Sequence, residues 1–281
     1  MATRNRRDDA VRSVQQLAAL PGRPPIVVVD NASRDGTAAA VGDSSPEATV
    51  VSLETNVGGC ARNVGAEVAT TAYLAFSDDD SWWAPGALDR AAAVLDSHPS
   101  VGLVMARILV GPQQRLDTTC AAMAQAPLGR PAGMPYPRVA GFLACCAVVR
   151  RDAFLAAGGF HKAVRFPGEE EVLALDLRTA GWDLVYVPDV VAHHHPRDSG
   201  DRAGRAGDMA RSALVTSWLR QPVGVAARTT AGVAMRALCS GDDRRALREA
   251  LARWRLARRG RRVAPASVRR ELRDAARGRV R

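Results

Sequence analysis

The sequence has few cysteines and no long apolar run, and each absence narrows the class of protein. Its cysteines are odd in number and form no CxxC pair: Cys60, Cys120, Cys145, Cys146 and Cys239. This pattern argues against a disulfide framework or a zinc site and favours reduced thiols in a cytosolic protein. No apolar run approaches the roughly 20 residues that span a bilayer. Residues 1–10 are charged and precede no apolar h-region, so we expect no secretory signal.

Several common motifs are absent as well. The chain has neither a GxGxxG fingerprint nor a Walker loop, which excludes the usual dinucleotide and P-loop classes. It also lacks internal repeats and low-complexity tracts. A chain of 281 residues that is 47% hydrophobic and 24% charged is typical of a globular protein with one substantial core.

Positive charge is concentrated at one end of the chain. Residues 201–281 contain 21 arginines, no lysine and seven acidic residues, a balance of +14. The net charge of +10 therefore leaves −4 for residues 1–200. An arginine-rich segment suggests an anionic partner surface, membrane lipid or nucleic acid. A solvated helical face in an arginine-biased composition is the alternative.

Hydrophobic periodicity predicts an α/β fold with a mostly parallel sheet flanked by helices, because strand-like and helix-like stretches alternate for nearly 190 residues. The expected strands are 26–29, 49–53, 73–76, 101–110, 141–149, 183–187 and 190–193. The expected helices are 8–20, 37–42, 60–70, 85–97, 151–157 and 169–180. A change of character near residue 200 predicts a boundary between a body, 1–200, and a basic, amphipathic helical segment, 201–281.

The strongest chemical signal is the carboxylate run Asp78–Asp80, which directly follows the apolar stretch 73–76. Three adjacent carboxylates repel one another, and a divalent cation removes that cost. Carboxylate oxygens suit Mg²⁺ or Mn²⁺, and phosphate oxygens can complete the coordination shell. The alternative is an acidic loop that caps the next helix.

Two further segments point to a phosphate-bearing ligand. Asp30 ends the strand 26–29 and opens the stretch NASRDGT, which also predicts a tight turn at Asp35-Gly36. Gly58 and Gly59 precede a helix that carries Arg62. Glycines permit close backbone approach, and a helix amino terminus with an arginine favours an anion. Glycine pairs before helices are common, so this signal is weak in isolation.

Acidic and histidine triplets follow later in the chain. Residues 169–171 are three glutamates that open a helix, where they serve the helix dipole or supply a general base for an incoming hydroxyl. Residues 193–195 are three histidines after an apolar run. In extended backbone His193 and His195 face the same way, and either is a candidate metal ligand or an exposed strand-end side chain.

Taken together and in order, these segments resemble the family 2 glycosyltransferases with the GT-A fold. The matching pieces are VVVDNASRDGT, NVGGCARNVGA, YLAFSDDDSWWAP, GFLACCAVVRRDAFLAAGGF and GEEEVLALDLRTAGWDLVYVPDVVAHHH. The resemblance covers about residues 3–195. It implies an inverting transfer of a sugar, of hexosyl type, from a nucleoside-diphosphate sugar to an acceptor hydroxyl.

The resemblance also implies roles for particular residues. Asp30 would contact the nucleotide base, Arg62 would lie in the donor pocket, and Asp78–Asp80 would form a DxD-type motif for metal and diphosphate. The full donor-binding set that we expect is Asp30, Asn31, Ser33, Asp35, Gly59, Arg62, Asp78 and Asp79. The expected metal ligands, for Mn²⁺ or Mg²⁺, are Asp78, Asp80 and His193.

The acceptor-activating carboxylate falls at Glu170 by the same resemblance. The family's Glu-Asp pair is Glu-Glu here, so Glu169 and Glu171 leave the identity of the base open. Of the aromatic pair Trp82-Trp83, we expect core packing for at least one and sugar stacking as the other use.

One departure from the family concerns its first strand. The stretch TRNRR at 3–7 matches the end of that strand, but the apolar strand itself is absent. Because its loss would leave neighbouring strands unpaired, we expect the natural start to lie upstream.

The expected partners are a UDP-, dTDP- or GDP-sugar and a glycan, lipid or small-molecule acceptor. The main rival is a GT-A-like protein that binds nucleotide sugar or associates with a membrane without turnover. Nucleic acid is not expected, because the basic segment has almost no aromatic interleaving.

For residues 244–262, the spacing of Leu247, Leu251, Trp254 and Ala257 predicts an interfacial helix on an anionic membrane, which suits a cytoplasmic protein at the inner membrane face. Packing of this helix against the body is the alternative.

Overall fold

Alternating strands and helices run from residue 2 to residue 194 of the computed structural model, which describes residues 1–125, 128–196 and 204–276. The strands are β1 Ala2–Thr3, β2 Val27–Asp30, β3 Thr49–Ser52, β4 Tyr73–Ala75, β5 Ser81–Trp83, β6 Val101–Val110, β7 Arg115–Leu116, β8 Ala147–Arg150 and β9 Asp183–His194. The helices between them are α1 Arg7–Ala18, α2 Thr37–Ser44, α3 Ala61–Val68, α4 Ala87–Ser97, α5 Thr118–Ala124, α6 Arg151–Ala157 and α7 Glu170–Thr179. Five helices follow: α8 Arg205–Arg220, α9 Val223–Ala237, α10 Gly241–Leu251, α11 Trp254–Arg259 and α12 Ala266–Ala276.

Some predicted features fall outside the described residues. They are the boundary near residue 200, residues 126–127 of the loop region, and residues 277–281 at the end of the basic segment.

The strands form two sheets with different pairing. The first has the order β1-β2-β3 and is parallel, as predicted. The second has the order β4-β8-β6-β9-β5 and is mixed: only β6 and β9 run parallel. The long connection from β7 to β8 contains α5, and β8 then runs antiparallel beside β6. The helices pack on the sheets, and the largest core cluster combines buried side chains of the strands and of these helices.

One predicted pair of strands is a single strand in the structure. Residues 183–194 form β9 in full, and its register against β6 shifts between Ala106 and Arg107, where Val187 and then Val191 are the partners. The intervening residues include Pro188, which has no N–H to donate to a ladder. The interruption in the sequence pattern therefore marks a bulge rather than a chain reversal.

β1 joins the two sheets close to their carboxyl ends. It pairs in parallel with β2, and the N–H of Asn31 donates to the carbonyl of Thr3 at 2.8 Å. On its other side Ala2 forms a parallel bridge with Asp78. The two residues of β1 thus place Thr3 between the end of β2 and the acidic run.

A cleft opens beyond β1, between β2 and β4. It measures about 290 Å³ and its lining is mainly apolar, with Ile26, Leu74 and Trp83 among the side chains. The amino group of Met1 lies in this region and donates to the carbonyl of Val27 at 2.8 Å. Burial lowers the pKa of that amino group to about 5.

The helical segment packs against the body through its own small core. This second cluster combines Ala163, Val164 and Val172 of the body with residues of α8 to α11. Buried arginines of α8 reinforce the junction: Arg220 pairs with both oxygens of Asp176 at 2.6 Å. Residues 204–276 are therefore held to the body by apolar contacts and by buried ion pairs.

The interfacial helix predicted over 244–262 is broken. α10 ends at Leu251 and α11 begins at Trp254, so the apolar stripe does not continue along one axis. Ala257 is buried in the second core cluster and Leu247 packs against it, which is the packing alternative. Leu251 and Trp254 remain exposed. Within the described residues, no helix is both long and apolar enough to cross a bilayer.

Candidate active site

The acidic segments predicted from the sequence meet around one buried arginine. Arg62 lies on the first turn of α3, and its guanidinium pairs with Asp78 through Nη2. Its Nη1 lies 3.4 Å from Oε1 of Glu169, at the start of α7. The same guanidinium lies over the ring of Phe160, 5.5 Å from the centroid. A single cation thus connects the acidic run after β4 to the glutamates before α7.

Electrostatics keep Arg62 charged despite its burial. Burial alone would lower the pKa of the guanidinium, but the carboxylates of Asp78 and Glu169 outweigh it and raise that pKa. An arginine between two carboxylates has little surplus charge. Removing either carboxylate, or drawing it toward another cation, would leave the guanidinium free to bind an anion such as phosphate.

The loop before α3 is built to bring Arg62 and Glu169 together. Asn31 fixes this loop with both ends of its amide: Nδ2 donates to the carbonyl of Gly58 at 3.1 Å, and Oδ1 accepts from the N–H of Val57 at 2.8 Å. At Gly59, an added Cβ would lie 2.9 Å from Oε1 of Glu169. Only glycine leaves room for that carboxylate, which accounts for the glycine signal in the sequence. Asn31 and Gly59, predicted as donor contacts, act here on the protein's own loop.

Asp30 presents an unsatisfied oxygen at the end of β2. The residue is buried, and its Oδ2 accepts from the N–H of Ser33 at 3.1 Å. Its Oδ1 is also buried and has no hydrogen-bond partner among the described residues. A buried carboxylate oxygen without a donor is costly and rare in native proteins. Asp30 therefore offers an acceptor for an N–H or O–H group of a ligand at this sheet edge.

Ser33 and Asp35 are engaged by neighbouring backbone. Oγ of Ser33 accepts from the N–H of Asn5 at 2.8 Å. Oδ1 of Asp35 accepts from the N–H of Thr37 at 3.1 Å and Oδ2 from the N–H of Arg7 at 3.2 Å. The hydrogen bond from the Thr37 hydroxyl lowers the pKa of Asp35. The turn predicted at Asp35-Gly36 is thus present, and it fastens α2 to the amino-terminal segment.

The three aspartates of the acidic run have different surroundings. Asp78 is the most open, with 28% of its side chain exposed. Asp79 accepts from the Thr3 hydroxyl at 2.8 Å and lies 3.4 Å from Nε of Arg6. Burial raises the pKa of Asp79 to about 6. The middle carboxylate is therefore held by Thr3 and Arg6 of the amino-terminal segment.

Asp80 lies between an arginine and a histidine. Nη2 of Arg6 is 3.1 Å from Oδ2, and Nε2 of His194 is 3.4 Å from Oδ1. Burial alone would raise the pKa of Asp80, but the hydrogen bond from His194 and the charge of Arg6 outweigh it and lower that pKa. The pKa of His194 is raised in turn, because its interaction with Asp80 outweighs its burial. Arg6 and His194 are the site residues that sequence reasoning did not select.

His193 lies on the opposite face of β9 from His194. β9 pairs with β5 so that His193 is opposite Trp82, and the two rings stack at 5.9 Å. His195 contacts the same indole at 4.6 Å, so His193 and His195 do face the same way, as alternation predicted. Trp83 is buried in the main core, as expected for one of the two tryptophans. The histidine beside the acidic run is His194 and not His193.

The donor set suits a divalent cation that is completed by a ligand. Within the described residues, no group of three or more His, Cys, Asp or Glu side chains is arranged to hold a metal by itself. Mg²⁺ in nucleotide sites is usually bound by one or two carboxylates together with substrate phosphates. Asp78 and Asp80 supply two such carboxylates at a partly open edge, so these residues fit the group.

The glutamates at α7 occupy two environments. Glu169 is 1% exposed, and burial together with the charge of Glu170 raises its pKa to about 7 against the opposing effect of Arg62. Its Oε2 has no hydrogen-bond partner within the described residues. Glu170 is half-buried, accepts from the N–H of Ala144 at 3.4 Å, and has its pKa raised by burial. Glu171 is exposed.

The chain is similar in fold to several solved structures. One similar structure is the mannosyltransferase PcManGT from Pyrobaculum calidifontis in complex with GDP-Man and Mn²⁺, at 20% identity and a TM-score of 0.59. The match covers 99% of this chain and 85% of that one. A second similar structure is S. aureus TarS 1-349 in complex with UDP-GlcNAc, at 16% identity and a TM-score of 0.60. The match covers 99% of this chain and 86% of that one. A third similar structure is GalNAc-T7 with UDP, GalNAc and Mn²⁺, at 14% identity and a TM-score of 0.58, with 75% of this chain and 45% of that one covered. At these identities the likeness shows the fold.

The mixed α/β fold and these neighbours show that the chain has the GT-A fold. The model of the family described as Glycosyl transferase family 2 matches residues 1–156, more than half of the chain, and the chain belongs to that family. A search of curated protein sequences found no match.

Proposed function

We propose that the chain is an inverting, metal-assisted glycosyltransferase that moves a hexosyl group from a nucleoside-diphosphate sugar to an acceptor hydroxyl. The observation that carries the proposal is the buried Arg62 between Asp78 and Glu169, which links the expected diphosphate site to the residue next to the expected base, Glu170. The similar structures bind GDP-Man, UDP-GlcNAc and UDP, and this supports a nucleotide-sugar donor.

Each end of the donor has a complementary group in the chain. The unpartnered Oδ1 of Asp30 accepts an N–H of the base. Asp78 and Asp80, as a DxD-type motif, would hold Mn²⁺ or Mg²⁺, which when bound neutralises the charge of the diphosphate. Arg62, which lies beside Asp78, would bind a phosphate oxygen of the donor. The remaining acidic residue of the run, Asp79, keeps the amino-terminal segment in place through Thr3 and Arg6.

The transfer itself is a single displacement. The carboxylate of Glu170 takes the proton of the acceptor hydroxyl, and the acceptor oxygen forms a bond to the anomeric carbon. The bond from that carbon to the phosphate oxygen breaks on the opposite face, and the nucleoside diphosphate leaves with the electron pair. Glu170 suits the base because it is half-buried and burial raises its pKa, which strengthens the carboxylate as a proton acceptor. Glu169 is fully buried and acts on Arg62 as a positioning residue.

A transfer and hydrolysis assay tests the proposal. UDP-, dTDP- and GDP-hexoses are incubated with Mn²⁺ and the full chain, and release of nucleoside diphosphate is measured with and without added glycan, lipid and small-molecule acceptors. One donor class should turn over, and Glu170→Gln should reduce kcat by at least about 100-fold while the donor still binds. Donor binding without any turnover would instead support a non-catalytic nucleotide-sugar-binding protein.

We also propose that the chain works at the cytoplasmic face of a membrane. Support comes from the charge of residues 201–281, where 21 arginines outnumber seven acidic residues. Several of these arginines are exposed, including Arg228, Arg248 and Arg255. Binding of the full chain to anionic vesicles, lost as salt is raised, is the expected result.

A further inference from the structure

The outward face of α9 is the most exposed apolar surface in the described part of the chain. Val223, Met235 and Leu238 are 73%, 67% and 71% exposed, more than any other large apolar side chain described. At about 100° per residue, these three positions fall within an arc of roughly 120°. The opposite face of the same helix is buried through Ala226 and Val233. α9 therefore has one face in the second core and a second apolar face, continued by Leu238 just beyond its end, that no residue of the described ranges covers.

The charged side chains of α9 itself are of one sign. Residues 223–241 contain no Asp or Glu, and the charged residues of α9 are Arg228 and Arg236. Arg228 is exposed and lies about 20° beyond the edge of that arc, and no ion pair of its side chain is found in the described ranges. Arg236 pairs with Asp243 of α10 at 3.2 Å. An apolar arc with a free arginine at its rim complements a surface that is apolar beneath and anionic above.

A lipid interface fits these features better than other partners. Arginine can extend its charge to headgroups while neighbouring apolar side chains enter the acyl boundary. Self-association through the same face would bring Arg228 toward its own copy without an acidic partner. Nucleic acid would satisfy the arginine but leave three apolar side chains against phosphates.

We propose that the outward face of α9 docks on an anionic lipid surface, with Val223, Met235 and Leu238 inserted and Arg228 at the headgroups. This inference rests on the membrane association proposed above and assigns it to α9 rather than to residues 244–262. In the latter, Leu247 and Ala257 are committed to the second core cluster. Exposed Leu251 and Trp254 lie at the far end of α10 and the start of α11.

The test is co-sedimentation of the full chain with vesicles. Vesicles of phosphatidylcholine alone are compared with vesicles containing about 30% phosphatidylglycerol, enough to create an anionic surface. Wild type should bind the anionic vesicles and leave the neutral ones. Met235→Glu combined with Leu238→Glu should weaken that binding at least about tenfold, because each change places a like charge in the apolar boundary. The matched control is Leu116→Glu, a 47% exposed leucine on β7, which should bind as wild type does.

A second readout does not depend on the folding of a variant. Cys239 is exposed next to Leu238, whereas Cys120, Cys145 and Cys146 are buried and Cys60 is partly buried. An environment-sensitive dye on Cys239 of the otherwise wild-type chain should shift to the blue on addition of anionic vesicles. The inference is overturned if the dye does not shift, if the double variant binds like wild type, or if the double variant abolishes a dimer instead. The nucleotide-dependent melting temperature, measured on the same proteins, reports separately on the donor site.

Discussion

Arginine serves opposite purposes in the body and in the helical segment. Around the acidic run, Arg6 and Arg62 lie among carboxylates, Arg62 buried and Arg6 partly buried. On α9 and α10, Arg228 and Arg248 are exposed. The residue type is the same, so burial and the nearest carboxylate decide whether an arginine holds a site together or presents charge to a partner. Substitutions that separate the two cases should therefore differ strongly in their effects.

The largest effect is expected for Arg62→Ala. The change leaves Asp78 and Glu169 facing each other without the cation between them, which should reduce the free energy of unfolding by about 3–5 kcal/mol. Arg62→Lys should recover only part of the loss, because an ammonium cannot bridge both carboxylates as a planar guanidinium does. Urea denaturation at neutral pH measures the change. Arg228→Ala is the matched control and should stay within about 0.5 kcal/mol of wild type; equal losses for the two variants would remove the contrast.

A buried arginine of the helical segment should behave like those of the body. Arg220→Ala breaks the two contacts with Asp176 and the bond to the carbonyl of Gly260, at a cost of about 3 kcal/mol. Arg236→Ala, which breaks a more exposed pair with Asp243, should cost no more than about 1 kcal/mol. Thermal melts of both variants check the comparison. If Arg220→Ala melts with wild type, the helical segment is not held to the body as described.

Titration of Glu169 should make the free energy of unfolding depend on pH. Its pKa is about 7 in the folded chain and near 4.5 when unfolded, so the folded state binds this proton more tightly. Stability from this group is present at low pH and is lost as the pH rises from about 4.5 to about 7. Glu169→Gln cannot titrate, so its stability relative to wild type should improve between pH 5 and pH 8, by an amount on the order of 2 kcal/mol. Parallel curves for the two proteins in denaturation series would contradict the assignment.

The smallest effect is expected at the cleft beside β1. Its lining is an apolar surface of the body, whereas the apolar face of α9 belongs to the helical segment. Three valines placed ahead of Met1 would extend β1 along β2 and cover part of the cleft lining. The expected gain is about 1–3 kcal/mol, since buried apolar side chains offset the cost of ordering the added backbone. A Gly-Ser-Gly extension is the control, because it also converts the Met1 amino group into an amide. Equal melting temperatures for the two extensions would show that no strand forms there.

Local sequence patterns predicted much of this fold for physical reasons. β-branched runs such as 101–110 are buried on both faces and became strands with the predicted bounds. The helix at 151–157 also has its predicted bounds, ended by Gly158 in a left-handed conformation. The acidic run follows β4 as expected, because the change from apolar to acidic residues at the end of that strand is visible in the sequence.

Long-range pairing limited what the sequence could show. Alternation placed His193 and His195 on one face of β9, but only the register of β9 against β5 turns His194 toward Asp80. Arg6 reaches Asp79 and Asp80 across more than 70 residues of chain, and no local pattern marks that contact. The break between α10 and α11 arises at Ala252 and Arg253, where the hydrophobic spacing continues without interruption.

The most direct measurement is the melting temperature of the full chain with UDP, dTDP or GDP, each with and without Mn²⁺. Ligand that binds the folded state raises the midpoint according to its concentration relative to Kd. One nucleotide should stabilise wild type by several degrees only when Mn²⁺ is present, Asp80→Ala should abolish the shift, and Arg228→Ala should retain it. If no nucleotide shifts the melting temperature of the folded wild-type chain, the donor site built around Asp30, Arg62 and Asp78 does not exist.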